Sequence, residues 1–237
     1  MTTLAITATR STNPRPVAPY WHMGILLAVL ALITIGGSVF QHQGGTGSDS
    51  SHPSRIPLYL SLIAAEWGLF RFAVKGSGMS GTTLAQLIGF NWKQIRGLPL
   101  DFLLGVALWG AWELLEMTWA NLFGAGNAAS IQSLLPRAPI EIALWIAVSI
   151  SAGICEEVAF RGYCQRQFAA LTRSRWLGLL LQALVFGVAH GYQGYQSCIR
   201  IVLYGVSLGL LAFWRKSLRP GMLGHACADI VAGVFGF

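Results

Sequence analysis

Charge is what this sequence has least of. Only 11% of its 237 residues are Asp, Glu, Lys or Arg, where a soluble domain carries about a quarter. So little charge cannot solvate a surface, which excludes an ordinary soluble globule. Acidic residues are the scarcer sign, 9 against 16 basic. The net +7 would mark a nucleic-acid binder only if the basic side chains shared one surface. They fall instead in small groups between apolar runs, which argues against a nucleic-acid partner and fits loops facing an anionic leaflet. Cysteine is sparse as well. Cys155, Cys164, Cys198 and Cys227 lie in or beside apolar runs without CxxC spacing, so neither a disulfide framework nor a zinc knuckle is expected. No small-x-small cleavage site follows the first apolar run, which therefore reads as an uncleaved span rather than a signal peptide.

What is abundant is apolar surface: hydrophobic residues make up 54% of the chain and the mean hydropathy is +0.57. At ~20 residues per crossing, the runs predict an all-α, polytopic transmembrane helical bundle of about seven spans. These fall near residues 23–40, 57–74, 100–123, 139–155, 177–189, 199–213 and 221–237, after an N-terminal tail of residues 1–22. Residues 23–237 read as one helical domain. A Gly/Ser/His loop is expected from 41 to 54, and an interfacial or half-inserted helix between 77 and 98; if that segment crosses, the count becomes eight.

The basic residues test this count. Arg10 and Arg15 precede the first span, and Arg55 alone follows it. Lys75, Lys93 and Arg96 lie between the second and third, Arg137 alone between the third and fourth. Arg161, Arg166, Arg173 and Arg175 follow the fourth, Arg200 alone the fifth, and Arg215, Lys216 and Arg219 the sixth. Rich and poor loops alternate throughout, which predicts a cytoplasmic N-terminus and an external C-terminus.

Ionisable side chains within spans are costly and point to function or to pairing. Glu66 and Arg71 read as a structural pair, and Glu113 and Glu116 share a face at i, i+3 from which they could meet Arg71. Three local patterns stand apart. In Glu156-Glu157-Val-Ala-Phe-Arg161, Glu157 and Arg161 can pair on one helical face, leaving the Glu156 carboxylate free. In Phe186-Gly-Val-Ala-His190 the imidazole lies one turn beyond an aromatic ring. In His225-Ala-Cys-Ala-Asp229 two polar groups share a face among small residues. Each has a plain reading too: an orientation anchor, an interhelical hydrogen bond, a histidine with its supporting carboxylate.

Taken in this order, the three patterns resemble the signature of the CPBP family, the CAAX protease and bacteriocin-processing group also called Abi. That signature is Glu-Glu-x-x-x-Arg, then Phe-x-x-x-His, then His-x-x-x-Asn or Asp. The resemblance covers residues 140–237 and implies an intramembrane endopeptidase. It implies Glu156 as the general base on water with His190 as its partner, and His225 and Asp229 as the groups that polarise the carbonyl and hold the oxyanion. Glu157, Arg161 and Phe186 take supporting places.

Whether zinc takes part stays open at this point. Glu156, His190 and His225 would be its ligands, but HExxH spacing is absent and the expectation is no obligatory metal. The implied partners are the lipid bilayer and a membrane-associated or lipid-modified peptide or protein, in a bacterial inner membrane. A non-catalytic immunity or scaffold protein of the same fold is the alternative. A haem protein with two axial histidines leaves Glu156 without a role, and no inverted repeat points to a transporter.

Overall fold

The computed structural model describes residues 14–44, 54–89, 95–124 and 134–235. Every regular element among them is helical. The long helices are α1 (Tyr20–Gly44), α2 (Ile56–Met79), α4 (Leu98–Phe123), α5 (Pro139–Glu156), α8 (Tyr195–Arg215) and α9 (Arg219–Phe235). Between them lie α3 (Leu84–Ile88), α6 (Gln165–Thr172) and α7 (Arg175–Ala189), with 3-10 turns at Ile95–Gly97 and Gly191–Gln193. Each of the seven apolar runs is thus a helix. Five stretches are long and apolar enough to cross a membrane, Tyr20–Val39, Ile56–Met79, Ile95–Phe123, Pro139–Thr172 and Tyr195–Arg215, while Arg175–Ala189 is a shorter apolar helix. At ~1.5 Å per residue, α7 and α9 fall short of a ~30 Å hydrocarbon core.

Large apolar side chains stand outward on several helices, among them Leu32 and Ile35 of α1, Leu114 and Met117 of α4, and Leu180 and Leu184 of α7. In water this belt would drive aggregation; in lipid it is the natural outer surface. The chain is an integral membrane protein. Among its described residues, the segment expected to lie at the interface holds the end of α2, the 3-10 turn at Ile95–Gly97 and the short α3, capped by a reciprocal Thr83–Gln86 pair. At about 7 Å α3 is far too short to cross. Lys93 and Arg10 lie outside the described residues, as does most of the expected 41–54 loop, because α1 continues to Gly44.

The core is the fourth run. It does not end at Cys155: Pro139–Thr172 is one continuous 34-residue helix, ~50 Å long at a regular rise. Its middle turns, from Glu157 to Cys164, are wound as a π-helix, and every residue in them is buried. Around this axis α5 packs on α2 and α9, α9 on α4, and α7 on α6 and α8. Small residues allow the approach. A Cβ on Gly153 would lie 2.7 Å from the Met222 carbonyl oxygen, so α5 meets α9 backbone to side (Cβ of Ala226 would be 3.0 Å away).

Polar clamps fix the helix ends. Arg215 donates from Nε and Nη2 to Asp101 Oδ1 at 2.9 and 2.7 Å, and Arg219 Nη2 reaches Asp101 Oδ2 at 2.6 Å. Asp101 sits in the first turn of α4, where the helix dipole also favours an anion. At the opposite ends of α2 and α5, Glu141 accepts from the backbone N–H groups of Arg55 and Arg137, both at 2.9 Å. The N-terminal segment is held as well: the N–H groups of Val17 and Ala18 donate to Gln167 Oε1 at 2.8 and 3.1 Å, and Gln167 Nε2 donates to Ala18 O. His22 and Tyr163 are hydrogen-bonded at 2.9 Å.

Two of the expected pairings are not observed. Arg71 is exposed, and among the described residues it forms no ion pair with Glu66 or Glu116. Five residues turn about 500° round a helix, which carries Arg71 away from Glu66 toward lipid headgroups. Glu116 pairs instead with the buried Arg200, whose Nη2 also donates to Ser197 Oγ at 2.9 Å. Glu113 accepts from Trp109 Nε1.

The close α5–α9 approach predicts that Gly153→Ala lowers the Tm in detergent, with a cost of about 1–3 kcal/mol from overpacking. Gly110→Ala, where an added methyl meets open space, should leave the Tm unchanged in the same scan.

Candidate active site

The π-wound turn presents two adjacent acids to one imidazole. Glu157 Oε1 accepts from Arg161 Nη1 at 2.8 Å and from His225 Nδ1–H at 3.3 Å. Glu156 Oε2 lies 3.8 Å from His225 Nε2. An α-helix places consecutive residues ~100° apart; the wider π-turn, a feature common at functional sites, lets both carboxylates face the same ring. Asp229, one turn after His225 on α9, brings Oδ2 to 3.6 Å from the same Nε2. His225 therefore has one nitrogen committed to Glu157 and the other facing Glu156 and Asp229.

Arg161 and Glu157 expose no side-chain surface at all. The guanidinium lies 4.1 Å from the centroid of the Phe186 ring, a distance at which the π face offsets part of its lost hydration. Phe186 is the hub of the site. It meets Phe160 and His190 edge-on at 4.9 Å each, and His225 at 5.9 Å. His190, at the end of α7, donates from Nδ1 to the Phe186 carbonyl at 2.8 Å. That bond assigns the lone pair of the neutral ring to Nε2, and His190 lies within electrostatic reach of Asp229. The structure thus gathers Glu156, Glu157, Arg161, Phe186, His225 and Asp229 by direct contact, with His190 adjoining through Phe186 and Asp229.

The carboxylates differ in how far they are committed. Glu157 is locked in its ion pair. Glu156 keeps 18% of its side chain exposed, and its Oε2 is buried without accepting a hydrogen bond. A partly wetted, uncommitted carboxylate in a low-dielectric cavity is a suitable acceptor for a proton from water.

The first half of the chain also reaches the site. Glu66 of α2 lies within the electrostatic reach of Glu156, Asp229 and His225, on a helix tied to α5 where Trp67 Nε1 donates to Ser151 Oγ at 3.2 Å. Tyr192 is similarly within reach of Glu156, Asp229 and Glu66. Neither follows from the sequence patterns. For Glu66 the only signal was a carboxylate in mid-span, and the nearby arginine drew it toward a structural pair. Among the described residues no three His, Cys, Asp or Glu side chains are arranged to hold a metal ion.

Removing Arg161 strands the Glu157 carboxylate in the core, a change that costs about 3–5 kcal/mol for a buried pair. Arg161→Ala is expected to lower yield and Tm sharply. Turnover lost with yield and Tm undiminished would move Arg161 from support into the reacting site.

No curated protein and no solved structure matches the chain. Residues 138–231 match the family model described as Type II CAAX prenyl endopeptidase Rce1-like. That segment carries all three patterns in their order.

Proposed function

We propose that this protein is an intramembrane endopeptidase that hydrolyses a peptide bond of a membrane-associated or lipid-modified substrate through water activated by Glu156. The observation that carries the reading is the uncommitted Glu156 carboxylate, 3.8 Å from an imidazole whose other nitrogen is held by Glu157. In the proposed reaction Glu156 takes a proton from water as the oxygen attacks the scissile carbonyl. His190, tied to Phe186 O through Nδ1, positions that water through Nε2. In its doubly protonated form His225 donates from Nε2 to the developing oxyanion, steadied by Glu157. Collapse of the tetrahedral intermediate breaks the C–N bond, and Glu156 returns the proton to the leaving amine. Donors fixed in a dry site stabilise such charge more than water does.

Seven crossings with a cytoplasmic N-terminus fit the clamps. Asp101 joins the start of α4 to the end of α8 and the start of α9, so these termini share one face, the one richer in basic residues. Glu141 joins the starts of α2 and α5, which share the opposite face. The proposed location is a bacterial inner membrane. A reporter active only outside the cytoplasm should give signal when fused after residue 137 and none when fused after residue 216. The reverse pattern, or signal at both, rejects this orientation.

Glu156→Gln and His190→Ala should each abolish cleavage, by at least about 10³-fold as for an essential base, while insertion and Tm stay close to wild type. Proteomics of membrane peptides from cells carrying wild type or Glu156→Gln supplies the assay and the substrate together. A Glu156→Gln protein with wild-type turnover ends the peptidase reading. A peptide bound by both forms and cleaved by neither favours the non-catalytic scaffold.

A further inference from the structure

Tyr204 belongs to none of the three patterns, yet α8 brings it against the same imidazole. Its ring stands perpendicular to His225, centroids 6.0 Å apart at 88°, and its other side packs on Trp112 at 4.5 Å. The residue is only 6% exposed. Its hydroxyl is buried and has no hydrogen-bond partner, although Asp229, Glu157 and Arg161 are close enough for their charges to act on it. A buried hydroxyl without a partner is a destabilising arrangement that phenylalanine would avoid, so its retention calls for an acceptor that arrives from elsewhere.

The chemistry of the site lacks one donor. An oxyanion is held by groups that give hydrogen bonds, commonly two or more. At the fourth position after His225 the chain has Asp229, and an ionised carboxylate only accepts. Arg161 gives Nη1–H to Glu157, while its Nε and Nη2 are buried without acceptors where the guanidinium lies over the Phe186 ring. At the imidazole itself the donors are His225 Nε2 and the Tyr204 hydroxyl, whose ring stands against it.

We propose that Tyr204 is a second oxyanion donor, its phenol O–H giving a hydrogen bond to the carbonyl oxygen of the scissile peptide as that oxygen gains charge. No bond to Tyr204 forms or breaks, and its proton stays on the phenol. The proposal rests on the peptidase reading above and assigns a catalytic role outside the three patterns. It separates two tasks at this imidazole: Glu157 fixes the ring, and Tyr204 shares the negative charge.

The test compares Tyr204→Phe with wild type and Glu156→Gln, on a peptide recovered from the Glu156 proteomic comparison and on a peptide aldehyde of the same sequence, which binds as its tetrahedral hydrate. Tyr204→Phe keeps the ring packing on Trp112 and His225. Its kcat should fall about 10²-fold, as for loss of one oxyanion donor, with KM within twofold of wild type. The aldehyde should bind more weakly by a similar factor, while the Tm is equal or higher because an unpartnered hydroxyl is gone. Unchanged kcat and aldehyde affinity, with Glu156→Gln inactive, overturns the Tyr204 assignment and leaves the peptidase reading intact. A lowered Tm with proportionate loss of substrate and aldehyde binding marks a structural residue and overturns it equally. Wild-type turnover by Glu156→Gln removes the peptidase reading itself.

Discussion

Glu157 and Arg161 stand one turn apart in the middle of the bundle, with no side-chain surface open to solvent on either. Desolvating both ions is expensive, and their attraction repays it only when the geometry is good and the surroundings complete it. The surroundings here are specific. The i, i+4 spacing brings the carboxylate to the guanidinium, the Phe186 ring covers the cation, and His225 gives the anion a second donor. Those contacts come from three separate helices, so the ion pair dictates how α7 and α9 lie against the central axis. Once they are so placed, His190 at the end of α7 and Asp229 one turn beyond His225 have little freedom. The two groups most exposed to chemistry, Glu156 and Asp229, are carried by neighbours of residues that are themselves immobilised.

The outline of this arrangement was legible in the sequence, and the reasons are local. A carboxylate and an arginine four apart in an apolar run have to pair with each other, and an aromatic residue four before a histidine has to pack on it. Both contacts are observed. The apolar runs marked the helices, and each of the seven is one. What sequence spacing could not supply was the winding. An α-helical projection turns Glu156 away from the Glu157 face, whereas both carboxylates converge on His225.

Long-range pairings were less readable. Glu66 has Arg71 near it in sequence, yet its carboxylate lies within electrostatic reach of Glu156, Asp229 and His225. Glu116 finds Arg200, 84 residues away, and Asp101 finds Arg215 across 114. No periodicity encodes such partners. Tyr204 gave no signal, being one aromatic residue among many in a helix that reads as packing. The fourth helix also proved longer than its apolar run, because the charged stretch after Cys155 is enclosed by protein rather than left in a loop.

The separation along the chain between partners sets an order of assembly. Glu157 and Arg161 are synthesised within four residues of each other, so the deepest charges neutralise one another as soon as that helix forms. Asp101 has to wait for more than a hundred further residues before Arg215 and Arg219 emerge. It can wait because it occupies the first turn of its helix, where the helix dipole favours an unpaired carboxylate. The central pair thus needs no other helix, whereas the clamp at Asp101 closes only when the last two helices arrive.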